Sequence, residues 1–174
     1  MKEALLAIEE LRESGIVGGY AIGGAVGATY YLEPVATLDV DVFVAFEGAG
    51  AGELVSLSPI YRHLEGKGFE LRGGYVVMGG WPVQFLSVGD ALGEEAIAEA
   101  VEVEVEGVRT RVMSAEHLVA LALQAGRGKD LARVVQFVEA GVLDMGRLQS
   151  ILERHGLTAA WDRFARRFLT EDGA

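Results

Sequence analysis

The 174-residue chain contains no cysteine, which excludes disulfides and thiolate metal sites. Its three histidines, His63, His117 and His155, stand too far apart in sequence to suggest a metal cluster. No window of about 18 residues is uninterruptedly apolar, so no membrane span is expected. The opening residues, Met1-Lys2-Glu3-Ala4-Leu5-Leu6-Ala7-Ile8-Glu9-Glu10-Leu11, set acids inside their apolar pattern. A secretory signal has a basic start and an unbroken apolar stretch instead, so a cytoplasmic protein is expected. Positive charge is scarce: 15 Lys and Arg stand against 26 Asp and Glu, for a net charge of −11. Non-specific nucleic-acid binding needs a basic surface that displaces counterions from phosphates. The chain as a whole repels nucleic acid, although a local basic face is compatible with this balance. No internal repeat is found.

Hydrophobic residues make up 51% of the sequence, enough for a sizeable core. The length fits one domain with a small helical appendage. Leu5, Leu6, Ile8 and Leu11 approximate helical spacing and predict a helix over 3–13, ended by Ser14-Gly15. An apolar strand follows at 16–22. After Gly23-Gly24 a short helix is expected at 25–32, broken by Glu33-Pro34. Residues 38–46 read as a buried strand, 48–52 as a glycine-rich loop and 53–65 as a helix despite Pro59. Strands at 69–78 and 81–88 are joined by Gly79-Gly80, a hairpin signal.

A short helix is expected at 94–100. Val101-Glu102-Val103-Glu104-Val105-Glu106 then alternates without error, as a half-exposed strand does. A two-residue turn at Glu106-Gly107 would set Glu104 opposite Arg109 and Glu102 opposite Arg111. Such cross-strand pairs contribute roughly 0.2–1 kcal/mol each. From Ser114, an N-cap, everything is helical: one helix to about Leu123, then 129–140 with Gly141 as a stop, 144–155 and 158–169. The expected fold class is α+β, a mixed sheet flanked by helices over 1–113 and a C-terminal helical bundle over 114–174.

Asp39 and Asp41 lie two apart in the valine-rich strand, so they share one face while Val40, Val42 and Val44 share the other. Neighbouring carboxylates repel, and burial makes their ionisation costlier. Two readings fit. Either both acids lie at an exposed strand start, paired with arginine or water, or they hold a hard divalent cation such as Mg²⁺ together with substrate phosphates. Gly23-Gly24 is open in the same way. It is a plain tight turn, or it lets the backbone approach a ligand closely, with the next helix N-terminus offering amides to a phosphate. Taken together, the two features make a site.

Gly23-Gly24 opening a helix, followed by Asp39-Val40-Asp41, resembles the nucleotidyltransferases of the DNA polymerase beta superfamily. The chain is most similar to the small bacterial nucleotidyltransferase-like proteins that include abortive-infection toxins. In those a threonine precedes the acids, as Thr37 does, and a later helical segment carries an Arg-x-Lys-Asp signature, matched by Arg127-Gly128-Lys129-Asp130. The lead-in Ser114-Ala115-Glu116-His117-Leu118 is also similar. The resemblance spans about residues 16 to 135. It implies transfer of a nucleoside monophosphate from an NTP to an acceptor hydroxyl, with two metal ions, Mg²⁺ or Mn²⁺, held by Asp39 and Asp41 and clamping the attacking and leaving oxygens. It implies nucleotide contacts at Gly23, Gly24, Thr37, Arg127 and Lys129. For Arg127 and Lys129 a cap and a surface ion pair at a helix junction remain the other reading.

Four positions depart from the family pattern. The third carboxylate, expected on the strand at 81–88, is Gln84, whose amide can ligate through oxygen but cannot take a proton at neutral pH. Val35 stands where an arginine is expected, Ala122 where a lysine is, and Arg133 where an acid is. The sequence therefore supports a nucleotidyltransferase, and alternatively a catalytically inactive nucleotide-binding or toxin–antitoxin-type regulatory protein on the same fold. At the C-terminus Trp161, Phe164 and Phe168 share one helical face, with Arg163, Arg166 and Arg167 on another. The aromatics read as core and the arginines as a solvated face, or as a receiver for an acceptor such as RNA.

Overall fold

The computed structural model describes residues 1–33, 37, 39–48 and 55–169. Val35 and the stretch 49–52 lie outside the described residues. The elements run α1 (Lys2–Glu13), β1 (Gly19–Ile22), α2 (Gly24–Ala28), β2 (Val40–Ala45), α3 (Ser58–Gly66), β3 (Glu70–Arg72), β4 (Tyr75–Met78), β5 (Trp81–Ser87), α4 (Ala91–Ala98), β6 (Val101–Val105) and β7 (Val108–Val112). Four helices follow: α5 (Ala115–Ala125), α6 (Gly128–Glu139), α7 (Met145–Arg154) and α8 (Thr158–Phe168). The strands form one mixed sheet in the order β3-β4-β5-β2-β1-β7-β6. β2 runs parallel to β5 and β1 parallel to β7, and the other pairs are antiparallel.

Alternation in β2 fixes which way the sheet faces. Val40, Val42 and Val44 are buried together with residues of α1 and α3, whereas Phe43 and Ala45 pack toward α4–α8. Burying each valine is worth roughly 1.5–3 kcal/mol. A one-residue slip would forfeit all three and drive Asp41 into the core. The register is therefore strongly specified, and it turns the aspartate face toward the C-terminal helices. Those helices share their core with Ala21 of β1, Ala28 of α2 and Met113, which follows β7.

Several local expectations change. The single strand at 69–78 is two short strands, because Gly73 and Gly74 both adopt positive φ (59° and 89°) and fold it into a hairpin. The helix expected from 94 starts at Ala91, because the Asp90 carboxylate accepts from the Gly93 amide at 2.8 Å and caps it. Leu6 lies on the outer face of α1, 52% exposed, while Ala4, Leu5, Ala7, Ile8 and Leu11 form the buried stripe. The β6–β7 register is as expected, Glu102 opposite Arg111 and Glu104 opposite Arg109. The Arg111 guanidinium nevertheless donates to the carbonyls of Ala98 and Ala100, each at 3.3 Å. In α8 only Phe164 is buried, with the rings of half-buried Trp161 and exposed Phe168 at 5.6 and 5.2 Å, so the aromatic face expected as core is core at one position.

One carboxylate joins three helical elements. Glu95 of α4 accepts from Arg154 Nη2 at 2.6 Å and His155 Nε2 at 2.8 Å, both at the end of α7, and from His117 Nε2 of α5 at 3.2 Å. Since ionised Glu95 only accepts, His117 carries its proton on Nε2, and Nδ1 accepts from the Ser114 hydroxyl at 2.9 Å. The Arg154 guanidinium above all, with both imidazoles, holds the Glu95 carboxyl down at about 2 against the opposing effect of burial. Desolvation pushes the fully buried His117 below its usual 6.5, against the pull of Glu95 and Glu99.

Both shifts leave the folded state binding fewer protons than the unfolded one, so acidification destabilises. Stability is expected to fall first below the usual imidazole value of 6.5 and again between 4.5 and about 2. Glu95→Gln should flatten the lower limb of a urea-denaturation series against pH. An unchanged slope there would show that the contacts to Glu95 carry no net stability.

Candidate functional site

Where β1 ends, the Gly23 amide donates to the Asp41 carbonyl at 2.9 Å, continuing the β1–β2 ladder into the bend. The two glycines are then needed for different reasons. Gly24 has φ +57°, and a Cβ there would sit 2.0 Å from Asp41 Oδ2, where no atom fits. A Cβ on Gly23 would meet the Phe43 ring at 2.6 Å and Met113 Sδ at 3.1 Å. The bend can therefore pass directly against the carboxylate. α2 starts at Gly24, and the first amides of a helix have no intrahelical partner.

Asp39 and Asp41 line one wall of a cleft of about 360 Å³. Gln84 of β5 is the parallel-strand partner of Asp41. Tyr75 of β4 comes one strand further, by the pairing of Val76 with Val83, and also lines the cleft. The opposite wall is α6, which presents Lys129 and Arg133, one turn apart, with Arg127 at its N-cap. Arg127 Nε lies 2.5 Å from Asp130 Oδ2, whereas Arg133 Nη1 is 3.9 Å from Asp130 Oδ1. Asp130 is buried, so its charge requires such partners.

The two walls act on each other. Burial raises the Asp41 carboxyl pKa above the ordinary range, and the charge of Asp39 raises it further. Lys129, Arg133 and Arg127 pull it back, in that order. Among the described residues no side chain forms an ion pair with Asp39 or Asp41. Both acids are half-buried. Two carboxylates side by side, with an amide oxygen beside them, are hard oxygen donors. That set fits one Mg²⁺ or Mn²⁺ that completes its shell with water and phosphate.

Of the residues singled out from sequence, Gly24, Asp39, Asp41, Gln84, Arg127 and Lys129 line this one cleft. Gly23 packs behind the bend. The Thr37 hydroxyl donates to the Asp39 carbonyl at 3.1 Å and braces the entry to β2. Arg127 also forms the junction ion pair of its other reading. Sequence reasoning missed Arg133, counted only as a lost acid, and Tyr75. The signal for Arg133 was its four-residue spacing from Lys129, which puts both on one helical face. His117 and His155, distant in sequence, do converge, but on Glu95. With Glu99, Glu95 and His117 place ligand atoms within 4.8 Å of one another. Both Glu95 oxygens already accept from Arg154 and the two imidazoles. That grouping is accounted for as an ion-pair hub.

The chain resembles a solved structure, an antigenic nucleotidyltransferase-like protein from Paracoccidioides brasiliensis. The TM-score is 0.50 at 14% sequence identity, over 91% of this chain and 89% of that one. The fold is nucleotidyltransferase-like. No protein-family model and no curated protein matches the sequence. Among the described residues no helix is long and apolar enough to cross a membrane.

Gly24→Ala is expected to destabilise by roughly 1–3 kcal/mol, since it combines a positive φ with the collision on Asp41. Gly128→Ala, where a Cβ meets nothing within 4 Å, serves as the control. Urea unfolding of both variants measures the difference, and equal midpoints would mean that the bend relaxes freely away from the carboxylate.

Proposed function

We propose that the protein is a nucleotidyltransferase that moves a nucleoside monophosphate from an NTP to an acceptor hydroxyl. One observation carries this reading: the diglycine bend, the paired carboxylates and the cations of α6 all border a single cleft. The bend lets a phosphate chain approach backbone amides. Lys129 and Arg133 face the same space and would neutralise phosphate charge as it shifts toward the leaving group. Asp39 and Asp41 would hold Mg²⁺ or Mn²⁺, which when bound supplies charge stabilisation to the phosphoryl oxygens.

In the reaction the acceptor oxygen forms a bond to the α-phosphorus, the bond from that phosphorus to the bridging β-phosphate oxygen breaks, and pyrophosphate leaves. The acceptor's proton passes to water or to a phosphate oxygen. Gln84, beside Asp41, cannot take it. That one residue also favours a second reading, a protein that binds nucleotide on this scaffold without turnover. The resemblance to abortive-infection proteins supports a toxin–antitoxin setting, for which a small regulatory gene beside this one is the expected companion. That setting rests on family analogy alone.

Incubation with labelled NTPs, Mg²⁺ or Mn²⁺, and RNA, protein or small-molecule acceptors tests the proposal. Wild type should transfer label, Asp41→Asn should not, and Gln84→Asp should transfer faster by about 100-fold or more if base assistance limits the rate. Equal, negligible transfer by wild type and Asp41→Asn, with thermal stabilisation by nucleotide retained in wild type, selects the binding protein instead.

A further inference from the structure

The cleft's charge pattern goes one step further, and it rests on the nucleotide-binding reading above. The sheet wall offers two carboxylates, and the next place in the row, beside Asp41, is the neutral amide of Gln84. One divalent ion balances those two charges. A second would add two positive charges to about 360 Å³ of space that already receives Lys129 and Arg133; among the described residues the sheet wall has no third carboxylate to hold it, and Asp130, the other acid lining the cleft, is engaged by Arg127.

The helix wall is not symmetrical. Asp130 engages Arg127 closely, at 2.5 Å, while its 3.9 Å separation from Arg133 exceeds hydrogen-bond range. Arg133 is also the more sheltered of the two, its side chain 22% exposed against 65% for Arg127. A guanidinium that is partly desolvated, loosely held and set in the cleft is suited to a bidentate grip on phosphate. We propose that the cleft binds its nucleotide with a single divalent cation, and that Arg133 takes the phosphate charge a second ion would otherwise neutralise.

Mn²⁺ titration followed by electron paramagnetic resonance, with methylene-bridged ATP and GTP analogues present, tests this on the full chain. Only ions lost in Asp41→Asn are counted. Wild type should hold one such ion, and the double variant Gln84→Asp/Arg133→Glu should hold two. Arg133→Ala should keep the single ion but bind analogue about tenfold or more weakly, with Arg133→Lys recovering part of the loss. Circular dichroism checks that each variant is folded. Two ions in wild type, none, or an Arg133→Ala affinity equal to wild type would overturn the proposal. A chain that binds one ion and analogue yet transfers no label sustains it while refuting the transferase reading. A chain that binds two and transfers does the reverse.

Discussion

Backbone and carboxylate come within contact distance at Gly24 and Asp41, and every other feature of the cleft depends on that approach. It needs two conditions at once. β2 must hold the register that buries Val40, Val42 and Val44, so that Asp41 faces the helix layer. The chain leaving β1 must turn left-handed at Gly24, the one residue type that passes the Asp41 oxygens without collision. The valines supply the energy and glycine supplies the room. The Gly23 amide joins the two by donating to the carbonyl of Asp41 itself.

Once the aspartates face inward, their charge has to be managed. Among the described residues no salt bridge to either neutralises it in place. The pull comes across the cleft from Lys129, Arg133 and Arg127. Opposed walls of opposite sign, kept apart by open space, suit a ligand that carries both signs, and a metal-bound polyphosphate does. Asp130 moderates the arrangement by drawing Arg127 to itself, which leaves Lys129 and Arg133 as the less committed cations.

What could be read along the chain was the part set by near neighbours. The valine–aspartate alternation, the β6–β7 register and the helices after Ser114 follow from periods of two or 3.6 and from nearby caps and turns. The Gly73-Gly74 hairpin escaped notice because the residues before and after the two glycines read as one continuous strand from Phe69 to Met78, although Glu70 to Arg72 is charged and exposed. The burial of α1 was misjudged by one residue, since adjacent Leu5 and Leu6 satisfy helical spacing about equally and only packing chooses between them. The convergence of His117 and His155 on Glu95 spans 22 and 60 residues and left no local trace. Arg133 had the right spacing but was judged against a pattern in which an acid stands there.

That misjudgement bears on how the departures from the family pattern should be understood. Taken singly, Gln84, Ala122 and Arg133 are three losses. In the folded chain all three line one cleft. Against the pattern that the sequence resembles, Gln84 and Arg133 make the cleft more positive by three charges, Ala122 removes one, and Val35, outside the described residues, removes another. Gly24, Asp39, Asp41 and Lys129 nevertheless border the same space. On the single-ion proposal, Gln84 and Arg133 are the residues that set the cleft's charge balance, because both border that space and neither carries a negative charge.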